Sequence, residues 1–119
     1  MTVEAVLAEL LRPDLPRDGI TISGGEPLSQ AEACAELVTR LNTAGMHVVV
    51  YTGYTLKKLA RLADAAIQQV LALANVIVDG PYIPALHERQ LAYRGSSNQR
   101  VIDLSTTRST GELRLLQVD

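Results

Sequence analysis

Three short stretches carry polar residues of a kind that could bind a small charged ligand. They are Ser23-Gly24-Gly25-Glu26-Pro27, Tyr51-Thr52-Gly53-Tyr54 and Asp79-Gly80-Pro81. Glycines let the backbone approach a ligand closely and aim carbonyls at it. Glu26 adds a full acceptor charge. Carbonyls with a carboxylate suit an ammonium group, which donates hydrogen bonds and carries positive charge. They do not suit phosphate: no Lys-Ser/Thr follows the glycines, and Glu26 would repel it. The expected ligand is therefore a cation such as the α-ammonium of an amino acid, met by Gly24, Gly25, Glu26 and Pro27, with Thr52 and Asp79 on the same rim. The bland alternative is a tight turn with a surface glutamate, and simple strand termination at Thr52 and Asp79.

Each stretch follows a short apolar run that reads as a buried strand: Gly19 to Ser23, His47 to Thr52, and Asn75 to Gly80. Helical patterns separate them. Thr2 is placed to cap a first helix that Pro13 and Pro16 end. A second helix is expected from Leu28 to Ala44, with Cys34, Leu37, Val38 and Leu41 on its apolar side and Gly45 as its stop. Helical spacing from Leu56 to Ala74 is broken near Asp64. Val101 to Leu104 and Leu113 to Val118 are candidate later strands. The class is α/β, with parallel strands and alternating helices. Chemistry in such folds gathers at the carboxyl ends of strands, which is where the three polar stretches fall.

The 119 residues fit one domain, with residues 81–100 as a loop-rich segment. With no Phe and no Trp, aliphatic side chains must fill the core. A net charge of −2 gives no broad pull toward nucleic acid or membrane. The second half carries a mild basic bias from Arg89, Arg94, Arg100, Arg108 and Arg114, for which a solvated surface is the favoured reading and phosphates or an acidic partner the alternative. No apolar stretch is long enough to span a bilayer, and "MTVEAVLAELL" lacks the basic start of a signal peptide. The lone Cys34 excludes an internal disulfide framework, and a cytoplasmic setting is expected. Cys34 lies on a helix stripe and is expected in the core; His47 and His87 are scattered, and a metal role is expected for none of the three.

"DGITISGGEPLSQ" (Asp18 to Gln30) resembles the strand and turn of radical S-adenosylmethionine enzymes that hold the ligand's amino group. "VVVYTGYTLKKL", "VIVDGPYI" and "YRGSSNQRVIDL" narrow the similarity to activases of glycyl radical enzymes, in particular those serving anaerobic ribonucleoside-triphosphate reductase. The resemblance implies a (β/α)6 partial barrel. It implies an S-adenosylmethionine site at Gly24, Gly25, Glu26, Pro27, Thr52 and Asp79. It also implies a [4Fe–4S] cluster held by a Cys-x-x-x-Cys-x-x-Cys loop ahead of the first helix. This chain has no such loop, and one distant thiol cannot hold a cubane. The expectation is a truncated and inactive form lacking its first βα unit, with Met1 an internal methionine and an exposed sheet edge open to self-association. The alternative is a short non-catalytic binding or interaction module derived from the same family. The block from Arg94 to Arg100 is left between a loop clamp and a partner contact.

Overall fold

The structure, a computed structural model, describes residues 3–10, 19–23, 26–87, 94, 96 and 98–116. The expected Thr2 cap, the Pro13 and Pro16 stop and the turn glycines Gly24 and Gly25 lie outside the described residues.

Helix α1 (Val3–Leu10) precedes strand β1 (Gly19–Ile22). A 3-10 turn over Pro27–Gln30 leads into α2 (Ala31–Thr43). Then come β2 (His47–Tyr51), α3 (Leu56–Ala60), α4 (Ala65–Leu73) and β3 (Val76–Asp79). After a second 3-10 turn at Pro84–Leu86 the chain returns as β4 (Arg100–Asp103) and ends its described helices with α5 (Leu104–Thr110). The four strands form one sheet in the order β1-β2-β3-β4. The first three are parallel. β4 is antiparallel to β3, with Asp79 opposite Arg100 and Val76 opposite Asp103. That corrects the all-parallel expectation: β4 begins opposite the carboxyl end of β3, so it enters the sheet from the rim at which β3 leaves it.

Local chemistry sets the helix limits. The break near Asp64 is a cap, since its carboxylate accepts the N–H groups of Ala66 (2.9 Å) and Ile67 (3.1 Å) and starts α4. The far end of α4 is closed by Arg108, whose Nη1 donates to the carbonyls of Leu71 (2.9 Å) and Ala74 (2.6 Å). Gly45 follows α2 at φ +78°, the left-handed conformation that stops a helix. The sequence pattern does not reveal α5: LSTTRST has no apolar stripe. It forms because Asp103 caps it, accepting from Thr106 N–H (3.0 Å) and Thr106 Oγ1 (2.7 Å). Of the strand expected from Leu113 to Val118, the described residues show an isolated antiparallel bridge from Leu115 to Ile102, and residues 117 and 118 lie outside the described residues.

Both faces of the sheet are apolar. Val48, Val50, Ile77 and Ile102 meet α2 and α4 in the main core. Val49, Val76, Val78 and Val101 form a second buried cluster on the other face, with Tyr51 against it. This alternation explains why the strands read as unbroken apolar runs. β3 is buried along its whole length, whereas β1, at the sheet's edge, alternates between exposed and half-buried. Among the described residues no helix is long and apolar enough to cross a membrane.

Candidate functional site

Parallel pairing brings the ends of β1 and β2 onto one rim, and the turns after them meet there. Glu26 caps the 3-10 turn, accepting Leu28 N–H on Oε2 at 3.0 Å. Its Oε1 accepts Gly53 N–H at 2.6 Å. Thr52, only 4% exposed, directs its hydroxyl at the same carboxylate, 3.2 Å from Oε1 and 3.1 Å from Oε2. Because Thr52 Oγ1 already accepts Tyr54 N–H (3.1 Å), its single proton goes to Glu26. Gly53 leaves the carboxylate room: a Cβ here would sit 3.3 Å from Glu26 Oε1 and press it by a few tenths of an ångström.

Every one of these donors is neutral, and among the described residues no cation pairs with Glu26. A carboxylate has about four acceptor positions, so three donors leave roughly one for a further donor. The carboxylate borders a cavity of about 280 Å³, lined also by Ser23, Tyr51, Thr52, Tyr82 and Gln99. Sequence reading did not single out Tyr51, Tyr82 or Gln99 for this site. Tyr51 opens one of the quoted strand-end stretches and Tyr82 directly follows another, Asp79-Gly80-Pro81, so their position in the sequence was the signal.

Asp79 takes a different position. Its side chain is 1% exposed, and it is not among the described residues lining the cavity. Arg100 grips it with two hydrogen bonds, Nε to Oδ1 at 3.0 Å and Nη2 to Oδ2 at 2.6 Å. Oδ2 also accepts Leu56 N–H at 2.7 Å, the first N–H of α3. The hydrogen bond to Asp79 raises the Arg100 guanidinium above its usual range, against the smaller opposing effect of burial. So the structure brings Glu26 and Thr52 into contact and sets Asp79 behind the loop that carries Thr52. Much of the basic bias in the second half is also internal: Arg100 holds Asp79, Arg108 holds α4, and Arg94 Nη1 donates to Gln99 O at 3.3 Å.

Cys34 is buried on α2. Burial, and secondarily the Glu26 charge, push its thiol up to about 11, so it stays protonated and unreactive at neutral pH. His47 is exposed at the start of β2, and His87 Nδ1 pairs with Tyr82 Oη at 2.9 Å. Among the described residues no three His, Cys, Asp or Glu side chains stand close enough to hold a metal ion.

Comparison with known proteins adds independent information. Residues 2–102 match the model of the 4Fe-4S single cluster domain. The chain is 38% identical over 102 residues to the anaerobic ribonucleoside-triphosphate reductase-activating protein of Salmonella typhi, covering 82% of this chain and 64% of that protein. The protein of the same name from Escherichia coli K12 is 37% identical over the same shares. That from Vibrio cholerae is 34% identical over 100 residues, 81% of this chain and 62% of the relative. The chain thus spans a little under two thirds of the length of these relatives. No solved structure gives a significant match.

Proposed function

The chain belongs to the 4Fe-4S single cluster domain family, and from that premise we propose that its rim is the S-adenosylmethionine site of a radical activase. The partner it would serve is a glycyl radical enzyme, with anaerobic ribonucleoside-triphosphate reductase favoured by the names of its relatives. The observation that carries the reading is Glu26: a carboxylate at the carboxyl ends of parallel strands, beside a cavity, held only by neutral donors. A ligand ammonium would supply the missing positive charge. Gly24, Gly25 and Pro27 would complete the turn around it, with Thr52 beside it. Asp79 enters from one layer behind, holding the Thr52 loop through Leu56. The apolar second face of the sheet supports a partial barrel of the (β/α)6 kind, whose interior that face would line.

The residues fit S-adenosylmethionine and do not fit the iron–sulfur cluster. Three thiolates are needed, and this sequence has one cysteine, buried and protonated. These 119 residues on their own therefore hold the ligand and generate no radical. S-adenosylmethionine, when bound beside a cluster, supplies the radical chemistry of such enzymes; the part of Glu26 and Thr52 is to bind and orient its amino end.

The test is calorimetric titration of the folded chain with S-adenosylmethionine, alongside Glu26→Ala and Glu26→Gln. Saturable binding by the native chain that both variants lose or weaken is the expected result. Silence of the native chain at millimolar ligand, with its circular dichroism intact, would overturn the reading.

A further inference from the structure

The strap that leaves β3 has a supply problem. Pro81 and Pro84 donate no backbone hydrogen bond. Gly80 turns at φ +100°, a conformation open chiefly to glycine, and donates its N–H to Tyr54 O at 2.9 Å. Past that point the described backbone pairing is one isolated antiparallel bridge, His87 to Ser96. Side chains ahead of β4 hold the stretch before that bridge. Gln99 Nε2 donates to Gly80 O at 3.0 Å, Asn98 Nδ2 donates to Pro81 O at 2.8 Å, and Ser96 Oγ accepts Ile83 N–H at 3.2 Å. The three donors and acceptors are themselves locked together. Ser96 Oγ–H donates to Asn98 Oδ1 at 2.6 Å, and Gln99 Oε1 accepts Ser96 N–H at 3.2 Å.

Gly80, Pro81 and Ile83 are thus each tied, and the residue between them is Tyr82. Its ring lines the cavity that Glu26 and Thr52 border, and it is 50% exposed. Ser96, by contrast, is 0% exposed. A buried hydroxyl that both accepts and donates has its burial cost offset, and a satisfied network of this kind fixes the geometry of the groups it joins.

We infer that Ser96, Asn98 and Gln99 are positioning residues, which hold the strap so that Tyr82 stands as a wall of the Glu26 cavity. The effect on ligand binding rests on reading that cavity as the S-adenosylmethionine site; the effect on Tyr82 does not.

Asn98 is the residue to change, because it is half-buried and its removal frees Pro81 O without opening the core. Asn98→Asp keeps the acceptor for Ser96 and replaces the donor to Pro81 O with a charged oxygen that repels it; Asn98→Ala removes donor and acceptor. The full chain is labelled with fluorotyrosine, and amide exchange is followed at Ile83 and, as a core control, at Ile77. In Asn98→Ala, exchange at Ile83 is expected to rise about tenfold with Ile77 unchanged. The Tyr82 fluorine resonance is expected to move toward its solvent position, and the dissociation constant for S-adenosylmethionine to rise about fivefold to tenfold. Asn98→Asp, which sets a charged oxygen against Pro81 O, should show the same changes at no smaller size. A Tyr82 resonance and Ile83 exchange matching the native chain would overturn the inference. So would shifts at both with an unchanged dissociation constant. If the native chain binds no S-adenosylmethionine, the proposed function fails by itself, and the Tyr82 resonance and Ile83 exchange alone decide the positioning role.

Discussion

Glu26 follows β1 and Asp79 ends β3, two parallel strands of one sheet, and each accepts an N–H that opens a helical turn: Leu28 in the turn after β1 for one, and Leu56 of α3, which follows β2, for the other. Beyond that they part. Asp79 is enclosed and clasped by the guanidinium of Arg100 in a two-point geometry. Glu26 is half-buried and receives a threonine hydroxyl and two peptide N–H groups, none of them charged. One carboxylate has its counter-ion built in. The other has hydrogen bonds enough to hold it still and a charge still to be matched. A carboxylate of the first kind organises the rim; one of the second kind can recruit a cation to it.

The largest effect expected from breaking this contrast is on the closed pair. Arg100→Met leaves Asp79 enclosed without its cation. Removing one partner of a buried pair costs roughly 3–5 kcal/mol, but the Arg100 side chain is 37% exposed and solvent softens the loss, so about 2–3 kcal/mol is expected. Urea unfolding measures it. A loss under about 0.5 kcal/mol, typical of surface pairs, would mean that Asp79 is not the anchor described.

Glu26→Gln should behave in the opposite way. The amide oxygen still accepts Gly53 N–H or Leu28 N–H, so stability falls by about 1 kcal/mol or less. Affinity for S-adenosylmethionine falls about tenfold, because a charge-assisted bond to the ammonium becomes a neutral one. Asp79→Asn, assayed while folded, should change affinity far less. Equal losses in the two variants would erase the distinction between them.

A third carboxylate, Asp103, shows what a strand-end acid does with neither a cavity nor a clasping cation. It caps α5, and hydrogen bonds from the Thr106 N–H and hydroxyl lower its pKa, with weaker help from Arg114 and Arg108 against a small burial effect. A lowered pKa in the folded state stabilises at pH values above the unfolded carboxyl's and loses that contribution as pH falls through the folded value. Asp103→Ala is therefore expected to cost about 1 kcal/mol at neutral pH and progressively less as pH falls below the unfolded carboxyl's value and through the lower folded one. Thermal unfolding across that window reads the difference.

The order of elements from α1 to β3 was legible because apolar periodicity and capping residues agree there, as at Asp64 and Gly45. The contact of Glu26 with Thr52 was legible in outline, since parallel strands must bring their ends to one rim. The partner of Asp79 was not. Arg100 lies 21 residues away, and only the antiparallel register of β4 sets it opposite. A four-residue strand carries no mark of its direction. Helix α5 was illegible for a related reason: Asp103 and the threonine hydroxyls hold it, where an apolar stripe would have been visible. The block from Arg94 to Arg100 shows its clamp only once residues 80–83 are seen beneath it.

The smallest effect is the most direct probe of the unmatched charge. Cys34 is the only cysteine, so its titration is free of overlap from other thiols. Burial raises its pKa first, and the negative charge of Glu26 adds to the rise. A raised thiol pKa leaves stability intact below about pH 9 and removes it as pH climbs toward the folded value of about 11, because the unfolded chain releases the proton earlier. Neutralising Glu26 with Gln should lower the Cys34 value slightly and make the alkaline loss smaller, because the gap between the folded and unfolded thiol narrows, whereas Asp79→Asn should leave it in place. Labelled cysteine Cβ shifts followed by NMR through the alkaline range measure both. If Glu26→Gln leaves the Cys34 titration where it was, the field of Glu26 is already cancelled within the fold, and the case for a recruited cation loses its electrostatic basis.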